Sequence, residues 1–570
     1  MRIVPAMEST GCAVVPVSAG GLLGWSLGRA IHVVSQVTPD AAHYRVSTAL
    51  GRLAALQGVS TAMWMLLSIL GCLAIWVAVS AIVHRQGSLM GRGASVILAL
   101  PAIVAAVLFL AADPFTRPGR FMVVGAAGFA GAGQVIVGAL ISLRALWTGN
   151  GWRPGARFVW CFSIPLAVAT GLWMALVQEP TGDEPAYLLA MHSIVHDHDV
   201  DVANNHGQQD YRFFYPTRIE HGQMLPTARG VTLPKHSLGL PLIGAAAYAV
   251  GGRMAVSGLC ALVVGALAAS IYHLVRRRSG EHLALQCWSV ALLCAPLPLY
   301  FGQIYPNAAT GLLLVASLLC APGHGALAGT LLGMIPWFHL GTWPLAMGAL
   351  VVVVIRDRAN AVRYLAPAFL LWGGLLAMHG YFWRAVVPPA GAYGRFSLAQ
   401  IPAALPGLLL DQESGLLWVA PTWLVALVGA ASRRSICSRG EALLLGGWLV
   451  YVSTFNWWFG GWSPTGRFLL PAVGLMVLVL GDGVHAAQTL ARRLWLASGV
   501  GTTVLVAFPF FRFNAHDGTN VVLDAAGSLG TIIASGLPSV VAPRAGVWAA
   551  WLCALGLVTI LLWRRVRHSL

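Results

Sequence analysis

The chain has 570 residues, of which 58% are hydrophobic and only 9% charged, with a mean hydropathy of +0.75 and a formal net charge of +16. Soluble domains carry about 25% charged residues, so this composition excludes an ordinary soluble enzyme. It indicates an all-α polytopic membrane protein, since lipid offers the backbone no water and helices satisfy their own polar groups. The basic residues fall in short runs between apolar stretches. The positive charge therefore reads as Lys and Arg retained on the cytoplasmic side, with no nucleic-acid partner expected.

In chain order, the opening "MRIVPAMESTGCAVV" shows neither a convincing basic leader nor a cleavage site, so no removable signal peptide is expected. A weak apolar span near 12–35 is followed by spans near 58–83, 94–112 and 121–143. These are grouped as an N-terminal accessory transmembrane region, 1–157, of four or so helices. The main module, 158–570, begins with "FVWCFSIPLAVATGLWMALV" and a long polar stretch. Further spans follow near 254–275, 283–300, 307–321, 326–339, 341–355, 364–380, 415–431, 442–455, 467–482, 494–510 and 547–563. That makes a bundle of about 12 spans. The apolar segment 238–252 is short for a crossing and reads as interfacial or re-entrant.

Basic loops at 84–93, 144–157, 276–280, 356–363 and 432–441, the Arg492–Arg493 pair and the C-terminal tail alternate correctly if all are cytoplasmic. This places large loops at 178–253, 379–414, 455–466 and 511–546 on the outer face. Nine scattered cysteines offer no CxxC pair and no zinc-ligand spacing. No metal site is expected.

The first outer loop is acidic. Asp183 and Glu184 stand before "PAYLLAMHSIV", where Pro185 suits a first helical turn. The two acids read either as a cap at the positive helix end or as a general base or metal-holding carboxylate at a membrane-surface site. In "HDHDVDVANNHGQQDY", Asp197, Asp199 and Asp201 have the spacing that opens a calcium loop. Val202 replaces the required glycine and Gln208 the bidentate Glu, so a hydrogen-bonded turn is expected there.

Further along, Arg212, Arg218, Arg229, Lys235, His236 and Arg253 suit either a lipid-linked phosphate or anionic headgroups. Two later loops add Arg395 and the run Asp411, Gln412, Glu413. "NWWFGGWSPTGRFLLP" (456–471) sets Trp457, Trp458, Phe459 and Trp462 among glycines ahead of Arg467. Interfacial aromatic belts explain such tryptophans; so does a wall for a sugar ring or polyprenyl chain.

From residue 158 onward the chain resembles the GT-C superfamily of integral-membrane glycosyltransferases, in particular the bacterial dolichyl-phosphate-mannose protein mannosyltransferase-like group that includes lipid A aminoarabinose transferases. The likeness rests on "GDEPAYLLA" after a first core helix, "PKHSLGLPLIGAAAYAVGGR", "AVSGLCALVVGALAASIYHLVRRRSG" and "GGWSPTGRFLLPAVGLMVLVL". It implies a GT-C-like helical bundle that moves a sugar from a polyprenyl-phosphate carrier to a glycan or lipid acceptor. The setting it implies is the extracytoplasmic face of a bacterial inner membrane, with no cofactor.

The resemblance maps the family's catalytic acid to Asp183, with Glu184 its neighbouring candidate. Arg212, Lys235, His236, Arg253, Arg395, Arg467 and Trp462 are the substrate-binding candidates. The N-terminal 150 residues depart from typical members. Two rival readings are a polysaccharide polymerase or ligase using a pyrophosphate-linked glycan, and a transporter or flippase. A transporter places its ionisable groups at mid-membrane depth, whereas most here fall in loops.

Overall fold

The computed structural model describes residues 145–148, 154–386, 388, 395–430, 435–507, 516–518, 520, 523 and 527–569. The spans expected at 12–35, 58–83, 94–112 and 121–143 lie outside the described residues. The chain divides into two compact units. One is residues 1–154 with 172–179 and 499–512; the other is 155–171 with 180–498 and 513–570. Residues 172–179 and 499–512 group with the first unit. All the functional residues below belong to the second.

The described residues are mostly helical, with one small antiparallel sheet, β1 (Met224–Pro226) paired with β2 (Thr232–Pro234). Among the described residues, three helices are long and apolar enough to cross a membrane: Gly239–Ser279, Arg358–Trp383 and Arg467–Ala486. They differ in surroundings, with 89% of the apolar window of Arg467–Ala486 buried against 22% for Arg358–Trp383. The second of these turns Val362, Phe369 and Leu370 outward, as a helix facing lipid does.

Several expected spans are shorter or broken, and proline is the reason. The stretch 415–431 splits into Leu416–Val419, a 3-10 turn at Pro421–Trp423, and Leu424–Ala430. The 283–300 stretch is helical as Glu281–Leu293 and then tightens into Leu297–Tyr300, around Pro296 and Pro298. Proline offers no N–H to the preceding turn and clashes with its carbonyl. The short segment 238–252 is helical and continues into the next span. The helix Gly239–Ser279, labelled α1, is interrupted only at Gly251 and Gly252, the latter with φ 54°. Glycine reaches that left-handed region at no steric cost.

Packing relies on small residues, because lipid gives helices no hydrophobic reason to associate and close backbone approach must do so. Gly429 and Gly483 face each other's helix backbones at Val479 and Val425, with no room for a side chain. Buried indoles are anchored as well: Trp288 Nε1 donates to Ser163 Oγ at 2.8 Å, Trp423 to Ala295 O at 2.8 Å, and Trp448 to Phe468 O at 2.9 Å.

One end of α1 is clasped. Its last turn carries Arg276, Arg277 and Arg278. Arg278 grips Glu441 bidentately, Nη1 to Oε2 at 2.6 Å and Nη2 to Oε1 at 2.7 Å, and Arg356 Nη1 adds a 3.0 Å bond to Oε1. Glu441 opens the helix Arg439–Ser453, labelled α2, through a capping box with Ser438. The other ends of both helices lead to the site: His236 precedes α1, and the loop from Thr454 to Gly466 leads from α2 to Arg467.

Candidate active site

The site begins at Gly182. Its φ is +56°, and a Cβ there would lie 2.6 Å from Trp462 O and against the Tyr305 hydroxyl. Only glycine allows this approach, and it delivers the next residue, Asp183, to the end of the aromatic loop. Pro185 and Glu184 then start the helix Glu184–His196, labelled α3, as the sequence leads one to expect. Asp183 holds the N-cap position but makes no capping bond with its side chain.

That carboxylate is instead ion-paired with Arg467 through Nη2, and His236 Nε2 lies 3.4 Å from its Oδ1. Its side chain is 17% exposed against 7% for Arg467. Burial alone would raise the Asp183 carboxyl, but the charges of Arg467 and His236 outweigh it and hold the group well below the usual carboxylate range.

Arg467 is fixed on every side. Its Nη1 donates to Gly460 O at 3.2 Å and its Nε to Asn307 Oδ1 at 3.4 Å, and its guanidinium lies 4.2 Å from the Tyr305 ring centroid. Tyr305 donates to Thr181 O at 3.1 Å and to Trp462 O at 3.2 Å, which ties the acidic turn to the aromatic loop. His236 is oriented by Gln223 Oε1 at 2.8 Å and by the Tyr187 ring at 4.9 Å. His339 stands behind this group. Its ring meets that of Phe468 edge-on, with centroids 6.2 Å apart.

Glu184 faces another way. It is 2% exposed, and its two oxygens accept from Ile304 N at 2.6 Å and Thr181 N at 2.7 Å. It braces the backbone on both sides of the site.

The structure thus brings together Asp183, His236, Arg467 and the backbone of Trp462, whose indole is 52% exposed. Among the described residues, no other cation lies within ion-pair distance of Asp183. Lys235 is half-buried next to His236, its N–H bonded to Gln223 O at 2.8 Å. Arg253 is half-buried beyond the Gly251–Gly252 break, Arg212 is exposed, and Arg395 is exposed on a segment whose backbone pairs with Asn456. The Asp197–Asp201 stretch is a hydrogen-bonded turn: Asp197 accepts from Asn204 and Asn205, Asp199 from Ser193, and Asp201 from Ala203 N.

The sequence reading passed over Tyr305, Asn307 and His339. "GQIYPN" (302–307) carried a signal, being a polar, proline-containing break between two apolar spans; His339 carried none. On another side of the aromatic loop lies a small cleft lined by Glu413, Ser414, Phe459, Gly461, Ser463, Thr465 and His516. Neither Asp183 nor Glu184 lines it. In it, burial pushes the Glu413 carboxyl up to about 7, against the N–H of Gly518 and with help from Asp411. No protein-family description, curated protein or solved structure matches this chain.

Proposed function

We propose that the chain is a multi-pass glycosyltransferase of the GT-C type, moving a sugar from a polyprenyl-phosphate carrier to a glycan or lipid hydroxyl. In this reading the main module has about twelve spans, sits in a bacterial inner membrane and turns Asp183 to the periplasm or exterior. One observation carries it: a carboxylate that leaves its own helix uncapped and is held instead, partly open, by a buried arginine and a histidine.

The chemistry follows from that set. The acceptor oxygen attacks the anomeric carbon as Asp183 takes its proton, and the bond from that carbon to the phosphate oxygen breaks. The electron pair leaves with the phosphate as a lipid phosphomonoester, and the anomeric centre inverts. Arg467 faces the negative charge that grows on the phosphate. The phosphate needs no acid to depart, unlike the leaving group in paired-carboxylate glycoside hydrolysis.

While Asp183 is paired with Arg467 it is a weak base, because the pairing favours its charged form. An arriving phosphate competes for the guanidinium, and the acid regains basicity as the donor binds. His236 and Tyr305 keep the partners in reach, and Glu184 positions the turn.

The test is transfer of labelled sugar from a polyprenyl-monophosphate donor by the protein in nanodiscs. Asp183→Asn is expected to lower the rate by about 10²–10⁴-fold while remaining folded. Wild-type rates in the folded variant overturn the assignment. A co-purifying diphosphate-linked glycan indicates a polymerase or ligase instead.

A further inference from the structure

We propose that Asp411, Glu413 and His516 form a divalent-cation site, one that stands independently of the transfer reaction. Among the described residues these three make the one group of metal-ligating side chains whose ligand atoms all lie within 4.8 Å of one another. A cation with ligands at about 2.1 Å holds them at most about 4.2 Å apart, so a small closure completes the set.

The site is built from distant chain. Asp411 and Glu413 are 0% and 3% exposed, in a turn between Ile401–Leu410 and Leu416–Val419. His516 comes from more than a hundred residues later and stacks on Phe459 with centroids 3.6 Å apart. Glu413 and His516 both line the cleft beside the aromatic loop, with the hydroxyl residues Ser414, Ser463 and Thr465.

Two orphaned atoms point to a missing positive centre. His516 Nδ1 is buried with no hydrogen-bond partner among the described residues, and so is Gln412 Oε1. Gln412 is 5% exposed, and its Nε2 donates to Gly518 O at 2.7 Å. The N–H of the same Gly518 donates to Glu413 Oε1 at 2.8 Å, so one residue links the Gln412 amide to the cluster. A buried polar atom without a partner calls for an explanation, and a bound ion is one recognised cause.

Asp411 is already bonded. Its Oδ1 accepts from Glu413 N, Ser414 N and Ser414 Oγ, while among the described residues Oδ2 accepts only from Val540 N at 2.9 Å. These bonds fix the carboxylate and leave a lone pair on Oδ2. An oxygen-rich set with one imidazole suits Mn²⁺ or a similar divalent ion. Its effect is to tie the 411–415 turn to residues 516–518, bracing the loop that ends in Arg467.

The experiment uses the full chain in detergent, stripped with chelator and equilibrated with Mn²⁺. Bound metal is counted by mass spectrometry, and melting is followed with and without the ion. About one equivalent and a raised melting temperature are expected. His516→Ala and Glu413→Gln should each weaken binding at least about tenfold, while His485→Ala, at an exposed position, leaves it unchanged. Comparable melting of metal-free variants and wild type shows that they fold, and His516→Gln replaces a variant that does not. Wild type binding no more Mn²⁺ than the Glu413→Gln/His516→Ala double variant overturns the site. So does an unchanged melting temperature.

Discussion

Asp183 and Glu441 are both carboxylates held by arginine, at opposite ends of the α1 and α2 paths, and they are held very differently. Glu441 is fully buried and accepts from both nitrogens of Arg278, from Arg356 and from Ser438. Asp183 is partly exposed and has one arginine nitrogen and one histidine at 3.4 Å. A saturated carboxylate can only hold the fold together. A partly exposed one with fewer donors keeps lone pairs that the proposed reaction would use. The difference lies in the donors around each acid, since the residue types are alike.

The largest expected effect that separates the two ends is on Arg467. Arg467→Lys loses the planar fork that meets Asp183, Gly460 and Asn307 together. Transfer should fall by about 10²–10³-fold, while Arg278→Lys leaves the rate per folded molecule unchanged. Equal losses in the labelled-sugar assay would erase the contrast.

Next in size is Glu441→Ala, which leaves two arginines facing a buried gap. Breaking a buried pair costs about 3–5 kcal/mol; because Arg278 and Arg356 are 20% and 40% exposed, the expected loss is about 2–3 kcal/mol. Melting in detergent checks it, and transfer by the surviving folded protein should be normal.

Gly182→Ala sharpens the Asp183 end alone. The added methyl meets Trp462 O and the Tyr305 hydroxyl at a positive φ, so a loss of about 1–3 kcal/mol is expected. Activity should drop further than stability, because Asp183 shifts away from Arg467.

The smallest effect is in pH. Asp183 titrates below its ordinary range when folded, so its contribution is present above about pH 4 and fades as pH falls through the lower folded value. The melting gap between wild type and Asp183→Asn should therefore be widest above about pH 4 and shrink progressively as the pH falls below it. A gap that widens on acidification contradicts the pairing.

Parts of this arrangement were legible in the sequence. "TGDEP" gave the turn, the proline start of α3 and an acid at its head, because glycine and proline restrict the backbone locally. The apolar helices Asn307–Cys320 and Gly325–Phe338, and the longer one through 364–380, were legible from apolar length. The breaks at Pro421 and near Pro298 were not placed, since hydropathy averages over a proline that the backbone cannot ignore. Arg467 was one of several candidate cations, and nothing local separated it from Arg212 or Arg395, which the fold leaves exposed. Glu184 looked equivalent to Asp183 until the Ile304 and Thr181 amides were seen to hold it.

By itself the sequence determined that this is a helical, membrane-seated chain with its acids gathered in loops, because composition and apolar length act residue by residue on transfer into lipid. Tertiary structure alone decided which acid meets which cation. Asp183 and Arg467 are 284 residues apart, and His516 reaches the Asp411 turn only through folding. Pairings of that range depend on how helices pack, a property of the whole chain that no local run of residues encodes.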